Sequence, residues 1–340
     1  MLSRLLTPLR LASAGLAVLV AAVIVLLTQH SDHYLEVPDE AHPLEALVEV
    51  PGPKPQQDGG DFYYVDIILK RASLLESLVP FVRPDGSDLV DRNLFVQPGI
   101  SDKQRFALEL ASMKISQQIA SAVALRELGY EIPVRAGGVR IVAITTDSHA
   151  VGVLKRGDVI VSANGRRVQV RADLTAALAR VRPGQVVRLG IRRGGTVRTF
   201  AIRTTRDETQ PGRALIGVLP IQALNVRFPF PIRFDLGRVG GPSAGLAFAL
   251  ELMEKRGRDI DRGYKVAATG EIQLDGTVTR IGGVKQKTIG ARDSDIDVFL
   301  VPRDGENARV ARRYANGLRI IPVESFQQAL RALATLPRKD

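Results

Sequence analysis

From Leu11 to Thr28 the chain reads "LASAGLAVLVAAVIVLLT", eighteen positions without a charge and without a polar face. As a helix this run is roughly 27 Å long, close to the hydrocarbon thickness of a bilayer, so it is expected to span a membrane. A different texture follows. Residues 31–58 are rich in Pro, Glu, Asp and His and show no helical period, which predicts a tether. "DFYYVDIIL" (61–69) predicts a strand, and 102–129 predicts one long helix or two, stopped at Gly129. The stretches "RPDGSD" and "VQPG" between them are loop-like.

From about Ile132 to Thr205 the elements become short. "GVRIVAIT" and "RGDVIVSANGRRV" are strand runs closed by turn residues, "ADLTAALARV" is a short helix, and "QVVRLGIRRGGTVRTFAIRT" is a hairpin across Gly194-Gly195. Farther on, "EIQLDGTVTRIGG" predicts a hairpin turning at Asp275-Gly276, and "VKQKTIGAR" the helix after it. "VFLVP" and "LRIIPV" read as strands and "SFQQALRAL" as a closing helix capped by Ser325 and Gln328. The expected class is α/β (α+β), with a mainly-β module inserted and one N-terminal transmembrane helix.

Gly157-Asp158-Val159-Ile160, then Asn164-Gly165, then a final hairpin make residues 132–206 resemble a bacterial-type PDZ domain. That resemblance implies binding of an extended peptide beside a sheet edge, with the terminal carboxylate in a backbone nest. A purely structural barrel is the alternative.

Charge sharpens the topology. Arg4 and Arg10 precede the apolar run and no acidic residue appears before Asp32, so the positive-inside rule keeps the N-terminus cytoplasmic and places the main body outside a bacterial cell membrane. A cleaved signal peptide is the rival, but the run is long for one and "TQHSDHYLEV" offers no clean small-x-small site. The net charge of +11 is spread along the chain with only 5% aromatics, which argues for a basic solvated surface and against a nucleic-acid partner. Membrane lipid is the partner of residues 11–28.

Candidate chemistry is narrow. There is no cysteine, so thiolate metal sites and a cysteine nucleophile are excluded. "RVGGPSAGLAF" (238–248) holds one serine between a Gly-Gly-Pro turn and an apolar run that predicts a buried helix. Such a serine is ordinarily an N-cap. It is also where glycines let a substrate approach and free N–H groups at Ser243 and Ala244 can hold an oxyanion. A serine nucleophile needs a base. His30, His33 and His42 crowd the tether and His149 lies in the PDZ-like stretch, so a histidine base is disfavoured. "TRIGGVKQKTIGA" supplies Lys285 and Lys287, about 200° apart on a helix, so only one of them can face a site. Residue chemistry alone leaves that choice open.

"GGPSAGLAF" (240–248), "ATGEI" (268–272), "IGGVKQK" (281–287) and "VFLVP" (298–302), in this order, resemble the Lon-type serine proteases, and more closely their membrane-anchored, PDZ-containing, ATPase-free bacterial relatives. The resemblance implies Ser243 as nucleophile, Lys287 as the catalytic lysine and Thr269 as the group that helps hold it. "GGDFYYVDI" (59–67) and "MKISQQIA" (113–120) resemble the first strand and first long helix of the same domain, which would then be interrupted by the PDZ module. Many Lon proteases carry an Asp where Gly241 stands here, the nearest upstream acid being Asp235, so a simple Ser-Lys dyad is implied. No G-x-x-x-x-G-K-[ST] occurs, and no ATP, other cofactor or metal is expected. The resulting organisation is a cytoplasmic N-terminus and anchor (1–30), a tether (31–58), a first protease part (59–131), a PDZ-like domain (132–206) and a catalytic part (207–340). The expected activity is ATP-independent cleavage of protein or peptide substrates by a membrane-tethered endopeptidase. The other reading is a catalytically inactive, membrane-anchored peptide-binding scaffold.

Overall fold

The computed structural model describes residues 8–52, 59–94, 100–207 and 210–339, with the backbone alone for 8–10 and 94. Arg4, the Arg10 side chain, the "VQPG" stretch and residues 53–58 of the expected tether lie outside the described residues. The apolar run is one helix, α1 (Pro8–Thr28), with no buried residue from Leu11 onward. It leads into β1 (His30–Pro43), which pairs antiparallel with β2 (Asp61–Ser73). A short helix α2 (Leu74–Leu78) and β3 (Asp88–Asp91) follow, and then the single long helix α3 (Asp102–Glu127). Gly129 ends α3 in the left-handed region at φ 88°, with Tyr130 N–H on the Leu125 carbonyl and Gly129 N–H on that of Arg126.

The expected tether is thus corrected in its first half: β1 is an internal strand, flanked by β2 on one side and β3 on the other. Register shifts between His30 and Tyr34 and between Pro38 and Ala41 break its alternation, and Tyr34 and Leu35 are buried in succession. Main-chain pairing holds the strand in place, and the bulges hide the two-residue period that would have announced it.

The inserted module contains β4 (Val134–Ile144), β5 (Val159–Ala163), α4 (Arg171–Leu178), β6 (Val186–Arg193) and β7 (Thr196–Arg203), with Gly194 and Gly195 at φ 56° and 86° in the expected hairpin turn. Its sheet also takes β8 (Val218–Val226), giving the order β8-β4-β5-β6-β7. β8 thus joins this sheet from beyond the boundary expected at 206. β8 is legible as a strand only through β4, far away in sequence, and Pro220 stands at one of its register shifts.

The remaining chain forms α5 (Gly245–Glu254), β9 (Lys265–Ala268), α6 (Val284–Asp293), β10 (Val298–Pro302), α7 (Gly305–Tyr314), β11 (Arg319–Val323) and α8 (Phe326–Ala334). A hairpin of Glu271–Ile272 with Val278–Thr279 precedes α6. Ser325 caps α8 by accepting the Gln328 N–H, whereas the Gln328 side chain turns to the Glu324 N–H. The main sheet runs β11-β10-β9-β2-β1-β3, parallel from β11 to β2. Alternate residues feed opposite cores, as a pleated strand requires. Val266, Ala268, Val298 and Leu300 pack with α5 and α8, while Ala267, Phe299 and Val301 pack with α6 and α7.

Candidate active site

The serine loop is held by the long helix. Gly241, at φ 91°, donates its N–H to the Glu109 carbonyl at 2.9 Å, and Ser116 Oγ donates to the Pro242 carbonyl at 2.9 Å. Gly245 lies so close to α3 that an added Cβ would stand 2.7 Å from Ser116 Oγ. Every residue of α5 is buried, which fixes the far side of the loop. The cap of α5 is Ala244, without a side-chain bond, so Ser243 is not the N-cap and its hydroxyl remains available. Among the described residues, the N–H groups of Ser243 and Ala244 have no acceptor.

The second half of the site comes from α6. Its Gly290 is pressed against the Asp39 carbonyl of β1, an approach that no side chain would permit. The helix then turns Lys287 inward, 3% exposed, with Nζ 2.6 Å from Ser243 Oγ and 3.3 Å from Thr269 Oγ1. Thr269 is fully buried and donates in turn to the Ser243 carbonyl at 3.1 Å, which Gly270 N–H also reaches at 2.7 Å. Lys285 points the other way, with Nζ 2.6 Å from Asp88 Oδ1 and 5.4 Å from the Tyr314 ring centre. Of the two lysines the residues left open, Lys287 meets Ser243 and Lys285 meets Asp88.

Burial pushes the Lys287 ammonium down from 10.5 to about 8, against the opposing pull of the Asp66 and Glu36 carboxylates. Both acids are themselves pushed up by burial, Asp66 to about 6 with help from its neighbour Asp39. Neither was singled out from the sequence. Asp66 is the one charge inside "YYVDIIL", and a lone acid in an apolar strand is the signal that marks it; Glu36 lay in the stretch expected to be a tether and carried no signal.

His42 Nε2 lies 3.4 Å from Asp39 Oδ2 and 3.5 Å from Asp66 Oδ1. These three side chains are the group among the described residues whose ligand atoms converge within 4.8 Å, as a metal would need. His42 also stacks on Tyr64, with ring centres 5.1 Å apart. His149 is exposed in the module. No histidine is bonded to Ser243 or Lys287 among the described residues.

Residues 238–335 match the family model of the Lon protease (S16) C-terminal proteolytic domain, and residues 126–204 that of the PDZ domain. The chain is 38% identical over 128 residues to a Lon protease of Clostridium beijerinckii, covering 35% of this chain and 16% of that protein. It is 29% identical over 199 residues to Lon protease 3 of Sorangium cellulosum, covering 56% and 23%. Lon protease 2 of Bacillus subtilis is 34% identical over 114 residues, covering 34% and 19%. The matched segments therefore span less than a quarter of each relative. Among solved structures, the PDZ domain of the SdrC-like protein from Listeria monocytogenes matches at 22% identity and a TM-score of 0.23, over 25% of this chain and 87% of that one. The chain carries a Lon-type proteolytic domain and a PDZ domain, with one apolar helix near its N-terminus.

Proposed function

We propose that this protein is a membrane-anchored serine endopeptidase whose dyad is Ser243 and Lys287. The observation that carries the reading is the 2.6 Å approach of Ser243 Oγ to a buried lysine whose ammonium is held down to about 8. Neutral Nζ takes the Oγ proton as Oγ attacks a peptide carbonyl carbon, and the negative oxygen that forms is held by the N–H groups of Ser243 and Ala244. The protonated lysine then returns its proton to the leaving amine, which departs as the acyl ester remains on Ser243. Water, deprotonated by the same Nζ, hydrolyses that ester and restores both side chains. Thr269 orients the lysine by accepting from Nζ while its own proton is committed to the Ser243 carbonyl.

The PDZ domain recruits extended segments of protein substrates by strand addition. The outer edge of β8, beside α4, is suited to this, and β8 leads directly into the catalytic part. The helix α1 spans the membrane with its N-terminus cytoplasmic and the body outside, a reading supported by the uncharged run Leu11–Thr28, none of whose residues is buried. No P-loop lies within these 340 residues, and cleavage proceeds without ATP. Reaction with a serine-directed acylating probe tests the dyad: mass spectrometry finds the adduct on Ser243 in the parent chain and none in Lys287→Ala. Absence of any adduct on the parent chain leaves a peptide-binding scaffold.

A further inference from the structure

The foot of α1 is joined to the body by a hydrogen bond from the Leu74 N–H to the Gln29 carbonyl, 2.8 Å, so α2 begins where the apolar helix ends and the two pack together. None of the residues of α2 or of the 3-10 turn Pro80–Val82 is buried. Leu78 is 68% exposed, Phe81 88% and Val82 38%. This exposure belongs to an ordered segment. Ser73 and Glu76 form a complete capping box, Val79 N–H closes on the Leu75 carbonyl at 2.8 Å, and Arg83 clamps the Glu76 and Ser77 carbonyls at 2.6 and 3.1 Å. Single exposed apolar side chains are ordinary on a soluble surface, but three within five positions on a braced turn are the pattern of a contact surface.

We propose that Leu78, Phe81 and Val82 form a ledge that enters the headgroup and acyl boundary of the leaflet on the side of the body, so that the protein meets its membrane at two points. The inference rests on the reading of α1 as a spanning anchor. Continuity selects lipid as the occupant: a helix whose apolar surface faces hydrocarbon as far as Thr28 brings the segment bonded to Gln29 to the interface, where an aromatic and two aliphatic side chains lose water at no loss of backbone pairing. The ledge restrains tilt of the body on its anchor.

The chain has no tryptophan, so a single substitution makes a unique reporter. The full chain carrying Phe81→Trp, or Leu78→Trp as a second position, is reconstituted in phosphatidylcholine vesicles with plain or brominated acyl chains. Leu19→Trp reports the anchor and Val197→Trp the exposed PDZ hairpin. Quenching by bromine of about twofold is expected at Leu19, Phe81 and Leu78, with little at Val197. Quenching at Leu19 while Phe81 and Leu78 behave like Val197 overturns the ledge and leaves the anchor. A blue-shifted Phe81→Trp that bromine does not quench overturns it in favour of a second copy or another protein on this face. No quenching at Leu19 or at the ledge overturns the anchor and the ledge together.

Discussion

The PDZ domain and the catalytic part each bury an ionisable side chain, and they treat it in opposite ways. In the PDZ sheet, Asp158 is 2% exposed and is met by Arg193 through bonds of 2.7 and 2.6 Å, while other cations of β6 and β7, such as Arg188 and Arg198, stay in solvent. Burial raises the Asp158 carboxyl, but the Arg193 bonds and the Lys155 N–H outweigh it and leave it below its ordinary value. In the catalytic part, Lys287 is 3% exposed, and its close partners are two hydroxyl groups. Its nearest influences of opposite charge, Asp66 and Glu36, do not pair with it in an ion bridge among the described residues. A buried charge given its counterion keeps its charge; one bonded only to hydroxyls titrates nearer neutral pH.

The largest effect expected from breaking this contrast is the loss of the base. Lys287→Ala lowers kcat/KM for a short peptide by about 10³-fold or more, measured by steady-state hydrolysis, while the circular dichroism spectrum is retained. Next comes pH. With the folded lysine at about 8, kcat/KM rises about tenfold per unit on the acid side and levels above that value. A limb that persists in His149→Ala assigns it away from histidine, and a flat profile removes Lys287 as the base.

Stability moves in the same window with a sign set by the depressed pKa. Below about 8 both folded and unfolded chains carry the ammonium, and the folded state bears the full cost of burying it. Between about 8 and 10.5 the unfolded chain binds more protons, so the cost fades as pH rises. Lys287→Met is therefore more stable than the parent by up to about 3 kcal/mol at pH 6, with the gain shrinking toward pH 11 in denaturant titrations.

Two smaller perturbations sharpen the comparison. Ser116→Ala removes the bond to the Pro242 carbonyl and costs about 1 kcal/mol, read as a lower denaturation midpoint together with a reduced kcat. Lys285→Ala breaks the partly exposed bridge to Asp88 and keeps short-peptide hydrolysis within about twofold of the parent.

Local pattern was a good guide wherever an element carries its own period and punctuation. The helix of 102–129, the Gly194-Gly195 hairpin and the Ser325 cap are all legible because the residues that stop, turn or cap them are adjacent to them in sequence. β1 was not legible, since two register shifts and its prolines scramble alternation, and its identity as a strand rests on β2 and β3. β8 likewise joins the PDZ sheet through a partner that begins at Val134. The serine and the two candidate lysines were visible as residue types, but the residues alone left the serine between nucleophile and N-cap.

By itself the sequence determined the apolar helix, the absence of a cysteine nucleophile and the presence of a glycine-bounded serine with lysines downstream, because composition, length and turn chemistry are local properties. Resemblance to a family then pointed to Lys287. Only the tertiary structure decided that Lys287 is buried, that Lys285 is paired with Asp88, that Asp66 and Glu36 stand near the Lys287 ammonium, and that Ala244 caps α5 in place of Ser243. The physical reason is that desolvation and charge proximity are set by what packs around a side chain, and around Lys287 those neighbours come from β1, β2, the loop before α5 and the residue that follows β9, segments that meet only when the sheet is assembled.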